Sequence, residues 1–143
     1  MVELSAAKRR SYAERVPVFW RQAKDADQRQ KPYFESLLGK PSVIALVAEG
    51  AGGIEGFLVA FVTPAPPVYD PGGLAVTIDD FCVASPGLWP TAGKALLAEA
   101  SRLAKEAGAA VVVVVCGEHD AAKRALLDSA GLTVASRWHV GAL

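Results

Sequence analysis

Apolar side chains recur at a helical spacing at the beginning of the chain and at a strand spacing further on. Within residues 4–38 the helical spacing dominates, and Pro17 is expected to interrupt it. A proline inside a helix removes one hydrogen bond and clashes with the preceding turn. The pattern therefore predicts one helix before Pro17, a second from Pro17 to about Gln30, and a third from Pro32 to Leu38.

The middle of the chain predicts three strands. Apolar runs rich in β-branched residues occupy residues 42–50, 54–64 and 74–85. The glycines of "GAGG", between the first two runs, are suited to a hairpin turn. Several prolines lie in residues 64–73, where they cannot continue a strand ladder, so a loop is expected there.

The last part of the chain alternates between helix and strand patterns. An apolar stripe at helical spacing marks residues 89–108, and an unbroken β-branched run at 109–116 is typical of a buried central strand. A short helix at 121–131 and a final strand at 132–143 complete the prediction. The order is helices followed by β-β-β-α-β-α-β. It predicts a single α/β (α+β) domain over residues 1–143, with a mixed central sheet flanked by helices and a helix-rich N-terminus.

Composition excludes several classes of function. The 15 basic and 15 acidic side chains balance, so no net charge favours nucleic acid or an anionic membrane as partner. The longest apolar run is much shorter than the ~20 residues of a membrane span, and no signal-peptide pattern is visible. The two cysteines fit reduced thiols, and the two histidines show no ligand spacing with them. We expect a cytoplasmic protein without a metal site.

The segment "SPGLWPTAGKALL", residues 85–97, joins a predicted strand to a predicted helix. A helix start leaves backbone N–H groups unpartnered and carries partial positive charge, so such junctions bind anions. Gly93 would let a phosphate approach closely and Lys94 adds charge, although Pro90 has no N–H to offer. The alternative is a plain helix start with proline in its first turn.

The longer stretch "IDDFCVASPGLWPTAGKALL", residues 78–97, resembles the cofactor-binding motif of the GNAT acetyltransferase superfamily. That motif is a strand ending in Val, an R/Q-x-x-G-x-G/A turn and a helix with a Leu pair, and aligning Val83 and Leu96–Leu97 needs no gap. Downstream, "DAAKRALLDSAGL" is similar to the family's N…A…Y-x-x-x-G-F element, with Asp120 at the Asn position. The resemblance covers about residues 42–140, and the strand "IDDFCV" is similar to one in spermidine/spermine acetyltransferases.

The resemblance implies that the chain binds acetyl-CoA. Backbone groups of the strand around Cys82 and Val83 would contact the pantetheine and the thioester carbonyl, and the helix start would hold the diphosphate. The residues implied for the cofactor are Cys82, Val83, Leu88, Trp89, Thr91, Ala92, Gly93, Lys94, Ala95 and Asp120.

The chain departs from the family pattern at three positions. Leu88 stands at the Arg/Gln position, and Thr91 replaces the first glycine. Leu127 stands where many members have the Tyr that protonates the departing thiolate. Other groups could donate that proton, and the sequence does not choose between Cys116, His119 and Ser129.

Acetyl transfer to an amine also needs a base. Asp79 and Asp80 are the candidates, and the resemblance puts Asp79 where a Glu often serves. Strand alternation predicts that they point to opposite faces, so that only one faces the cleft. The alternative is that one aspartate is structural and caps a loop or pairs with a lysine. Asp70, in the preceding loop, could attract a cationic substrate.

These observations predict an acetyl-CoA-dependent N-acetyltransferase that acts on an amine of a small molecule or peptide. Leu88 and Leu127 favour a first alternative, a GNAT-fold module that binds acyl-CoA or another ligand without turnover. A second alternative is an interaction protein. It would be a homodimer formed through the aromatic N-terminal helices or the Trp138 strand.

Overall fold

The computed structural model describes Met1–Leu143 and contains a four-stranded sheet between two layers of helices. Strands β1, β2 and β3 are antiparallel neighbours, and β4 pairs parallel to β3, so the sheet is mixed, as predicted. None of the helices is long and apolar enough to cross a membrane. The elements are α1 (Val2–Arg15), α2 (Ala26–Leu37), β1 (Val43–Gly50), β2 (Gly53–Thr63), β3 (Leu74–Val83), α3 (Lys94–Glu106), β4 (Ala109–Val114) and α4 (Ala121–Ser129).

The alternation of side chains along β2 builds a core on each face of the sheet. Leu58 and Ala60 point to the face covered by α3 and α4, where they join the larger buried cluster. Phe57 and Val59 point to the opposite face, where Phe34 of α2 packs edge-on against Phe57 at 5.5 Å between ring centroids. Both faces of the sheet are thus covered by apolar surface, which dominates the stability of such a layered fold.

The helix predicted after β3 is confirmed, but helical structure begins earlier than expected. A 3₁₀ turn at Pro86–Leu88 and a π-helical turn at Trp89–Gly93 lead directly into α3. The predicted apolar stripe of α3 faces the sheet through Leu96, Leu97 and Ala100.

The N-terminal helices differ from the prediction. Pro17 does end α1, but the second predicted helix does not form, and residues 16–25 have no α-helix. One helix, α2, runs through Pro32 instead of beginning there. An interior proline costs about 3 kcal/mol, and here the burial of Phe34 and Leu37 against the sheet offsets that cost.

The final predicted strand is wrong. Residues 132–143 contain no strand, and the N–H of Leu132, which donates to Leu127 O at 3.0 Å, makes the last backbone hydrogen bond of the chain. Val134 and Trp138 are mostly exposed. An alternating pattern produces a strand only where a neighbouring strand completes the ladder, and this segment has no such neighbour.

Candidate functional site

A β-bulge in β3 brings the two predicted catalytic aspartates to the same side of the sheet. In the pairing with β2, Val59 lies opposite Asp80 and Ala60 lies opposite Ile78, so Asp79 is an extra residue. Such a residue shifts the alternation by one position. Asp79 and Asp80 therefore both line one cleft, and the prediction that only one would face it is wrong.

This cleft has a volume of about 650 Å³ and lies between α1, the segment 16–25, α2 and β3. Its size suits a small organic ligand. Four aromatic side chains line it together with several arginines and a lysine. The aromatic residues are Tyr12, Phe19, Trp20 and Tyr33.

Lys8 of α1 contacts both aspartates. Its Nζ lies 3.9 Å from Asp80 Oδ1 and donates to the backbone oxygen of Asp79 at 3.4 Å. Burial nevertheless raises the pKa of Asp80, against the lowering effect of the Lys8 charge. The Asp79 carboxylate is more exposed and has no hydrogen-bond or ion-pair partner. The cleft therefore presents one unneutralised carboxylate and a second that accepts a proton more readily than an ordinary aspartate.

The parallel strands β3 and β4 separate beside this cleft. Their last backbone bond joins the N–H of Val115 to Ile78 O at 2.9 Å. Beyond it, the Nζ of Lys123 from α4 donates to Val115 O at 2.7 Å and to Phe81 O at 3.2 Å. The lysine amine thus lies where backbone hydrogen bonds between β3 and β4 are missing. The resemblance places the pantetheine of the cofactor at this part of β3.

Lys123 is fully buried among aromatic rings. Its Nζ lies 5.0 Å from the ring centroid of Phe81 and 5.8 Å from that of Trp89, and these two rings pack edge to face at 4.9 Å. No carboxylate forms an ion pair with it. Desolvation lowers the pKa of Lys123 to about 7, so both protonation states are populated near neutral pH.

The indole of Trp89 fills the space beneath the start of the helix. Trp89 is buried, and a Cβ added to Gly93 would lie 2.6 Å from its Cε3 atom. Gly93 is therefore required for packing against the indole. In the structure this glycine faces the core and not an open phosphate loop.

Several N–H groups expected to hold a diphosphate already have partners within the chain. The N–H of Leu88 donates to Ser85 O at 3.0 Å, that of Trp89 to Pro86 O, and that of Lys94 to Thr91 O and Trp89 O. These bonds close the helical turns on themselves and leave fewer donors for an anion.

The outer side of this helix start is acidic. Thr91, Ala92 and Ala95 line a groove of about 370 Å³ between β1, β2 and α3. Three carboxylates share the groove, and none of its lining side chains is basic. They belong to Glu49, Glu55 and Glu99. A diphosphate in this groove would be repelled by the carboxylates.

The remaining residues predicted to bind the cofactor are engaged in the packing or the hydrogen bonding of the chain itself. Cys82 is buried, and burial raises its pKa to about 11, while Val83 packs against the larger core cluster. Asp120 caps α4 by accepting from the N–H of Lys123 at 3.1 Å, and it also accepts from the hydroxyl of Tyr12 at 3.2 Å. Both of its oxygens are thus engaged within the chain.

None of the groups considered as proton donors lines the cleft. Leu127 is buried in the core, and Cys116 is half-buried, which raises the pKa of its thiol. His119 is exposed, and the hydroxyl of Ser129 donates to Leu126 O at 2.7 Å. Asp70 also lies outside the cleft and accepts from the N–H of Gly72.

The sequence interpretation missed Lys123 and Tyr12. One signal was available for Lys123, because Leu126 and Leu127 follow it at the spacing of one helix face, and both are buried. A lysine on an apolar face is a candidate for burial with an unusual role. No sequence signal links Tyr12 to Asp120, since 108 residues separate them.

The comparisons with known proteins agree with this architecture. No family model matches the chain, and no curated protein matches it. Among solved structures, a point mutant of the BH1408 protein from Bacillus halodurans has a TM-score of 0.83 at 14% identity, covering 99% of this chain and 90% of that one. A ribosomal-protein-alanine N-acetyltransferase from Brucella melitensis has a TM-score of 0.61 at 22% identity, covering 94% of each chain.

An aminoglycoside N-acetyltransferase, AAC(6')-Iy, in complex with CoA is also similar, with a TM-score of 0.65 at 15% identity over 81% of this chain and 87% of that one. These likenesses, together with the mixed sheet and the divergence of β3 and β4, show that the chain has the GNAT fold.

Proposed function

We propose that this chain is a GNAT-fold binding module. It holds a small amine-bearing ligand in the cleft between α1, α2 and β3, and it does not turn over acetyl-CoA. The observation that carries the proposal is Lys123, whose amine bridges Phe81 O and Val115 O where the strands diverge.

Displacing Lys123 from this position is costly. When the amine is protonated, each of its hydrogen bonds contributes about 1.5–3 kcal/mol, and an incoming pantetheine would have to replace both bonds. Losing both would weaken binding by roughly 10²- to 10⁴-fold. The residues present therefore do not fit coenzyme A in the slot that the resemblance assigns to it.

The helix start that was expected to hold the diphosphate supports the same proposal. N–H groups at Leu88, Trp89 and Lys94 are already bonded within the helical turns, and Leu88 supplies no charge. The neighbouring groove adds carboxylates and no cation. Binding at this end would therefore have fewer free donors than an open helix start offers, and the nearby carboxylates would oppose the positive field that holds anions there.

The two aspartates, in contrast, lie where a small ligand can reach them. Asp79 and Asp80 line a cleft that is large enough for a small molecule, and no cation of the chain forms an ion pair with the Asp79 carboxylate. An ammonium group would supply that cation, so an amine is the chemistry we assign to the ligand. The two free thiols suit a reducing compartment such as the cytoplasm.

An N-acetyltransferase acting on a small-molecule or peptide amine is the second candidate. The raised pKa of Asp80, in the same cleft as Asp79, favours it, because a base poised closer to neutral pH deprotonates an amine more effectively. The similar structures with acetyltransferase names are consistent with it.

Two measurements on the wild-type chain separate the candidates. We expect no change in melting temperature with millimolar acetyl-CoA and no free thiol released over a panel of amines. An active GNAT acetyltransferase serves as positive control. For a true binder, saturation at 100 times the dissociation constant would add about 2.7 kcal/mol. A clear shift together with thiol release that is lost in Asp80→Asn would establish the acetyltransferase instead.

A further inference from the structure

We infer that the cleft is selective for a zwitterion built on a flat aromatic body, such as a free aromatic amino acid. The ammonium end lies at Asp79 and Asp80, and the anionic end pairs with Arg21. The location of the ligand in this cleft rests on the proposed function. The inference adds that the ligand also carries a negative charge and an aromatic body.

Arg21 is the free cation of the cleft. It lies in the segment 16–25, is exposed, and forms no hydrogen bond or ion pair within the chain. The other basic side chains that line the cleft are held by carboxylates. Those pairs are Lys8–Asp80 at 3.9 Å, Arg9–Asp27 at 2.7 Å and Arg29–Asp25 at 2.6 Å.

Asp79 is the corresponding free anion, since its carboxylate has no partner while that of Asp80 lies near Lys8. One cleft thus offers one unpaired group of each sign. An amine without an acid would leave Arg21 unused, and an acid without an amine would meet the unneutralised charge of Asp79. A ligand with both charges satisfies both groups, and selectivity of this kind comes from the penalty on the wrong charge.

The aromatic side chains of the lining pack against one another and are partly open to solvent. Trp20 packs edge to face on Tyr12 at 5.3 Å and on Phe19 at 4.7 Å. Tyr33, on α2, also lines the cleft, and 44% of its surface is exposed. Such rings favour a flat apolar body by area burial and ring stacking, and they also attract an ammonium group.

Three indole probes separate the contributions of the two charges. L-tryptophan carries both charges, tryptamine carries only the ammonium, and indole-3-propionate carries only the carboxylate. Isothermal titration into the full chain should give an affinity for L-tryptophan at least about tenfold higher than for either single-charge probe.

Variants assign each charge to its residue. Arg21→Gln should reduce the affinity for L-tryptophan to that for tryptamine and leave tryptamine unchanged. Asp79→Asn should weaken tryptamine and L-tryptophan without weakening indole-3-propionate. Arg15→Gln is the matched control, because Arg15 is exposed in the last turn of α1 and does not line the cleft.

Equal affinities for the three probes, no binding of any probe at millimolar concentration, or an equal effect of Arg21→Gln on tryptamine would each overturn the inference. These outcomes are independent of the acetyl-CoA result. Thiol release from acetyl-CoA with intact selectivity for L-tryptophan would refute the module without turnover and leave the ligand class standing.

Discussion

Lys123 shows how far a single residue can depart from its ordinary chemistry. Its amine is buried without a carboxylate, and two backbone carbonyls and two aromatic rings surround it. Burying an unpaired ammonium is expensive, and the protein reduces that cost by lowering the pKa of the amine. The same residue closes the gap between β3 and β4, so its protonation is coupled to the stability of the fold.

The stability of the wild-type chain should rise with pH above neutrality. The folded pKa of Lys123 is about 7 and its ordinary value is 10.5, so the unfolded chain binds more protons between these values. The free energy of unfolding should therefore increase, by roughly 1–2 kcal/mol between pH 7 and pH 9. Above pH 9 the raised pKa values of Cys82 and Cys116 act in the opposite direction. Urea unfolding at fixed pH values measures the effect.

Lys123→Met removes the titrating group while nearly conserving its volume, so the slope between pH 7 and pH 9 should flatten. Lys105→Met, at an exposed position on α3, should keep the wild-type slope. A wild-type slope that persists in Lys123→Met would mean that other groups cause the pH dependence.

At the scale of elements, the path from β3 into α3 decides what the fold can bind. The chain enters helical structure at Pro86 and passes through a π-helical turn before α3 begins at Lys94. A π-helical turn widens the helix locally, and here it accompanies an inward-facing indole at Trp89. The helix start is thus built around an aromatic side chain.

This packing predicts different effects for the two glycines that precede α3. Gly93→Ala puts a Cβ 2.6 Å from Trp89 and should destabilise the chain by about 1–3 kcal/mol. Gly87→Ala meets nothing within 4 Å at an ordinary φ and should be neutral or slightly stabilising. Thermal unfolding of the two variants checks this, and equal stabilities would show that the indole is not fixed beneath Gly93.

The elements could be predicted to the extent that local pattern decides them. The strands β1 to β4 and α3 were all predicted close to their observed bounds. The buried central position predicted for β4 is wrong, because β4 lies at the edge of the sheet and Val111 and Val113 are 40% and 48% exposed. The bulge at Asp79 has no sequence signal, because it depends on the register with β2. The final strand failed because strand formation requires a partner that the pattern of residues 132–143 cannot supply.

At the scale of the whole molecule, the fold was predictable and the chemistry of its centre was not. The order of elements and the motif around Val83 indicated a GNAT-like domain, which the structure confirms. The closure between β3 and β4 depends on Lys123 reaching Phe81 across 42 residues of sequence, and no motif contains that contact. The expected homodimer stays a prediction, with the exposed Trp138 packed edge-on against Phe19.

The most direct test follows the backbone amides of residues 81–83 and 115–117 by ¹⁵N–¹H NMR during titration with coenzyme A. If Lys123 fills the gap between the strands, these resonances should not move up to millimolar coenzyme A, while a ligand in the cleft shifts those of Asp79 and Asp80. Saturable shifts of the amides around Phe81 and Val115 on addition of coenzyme A would contradict this account.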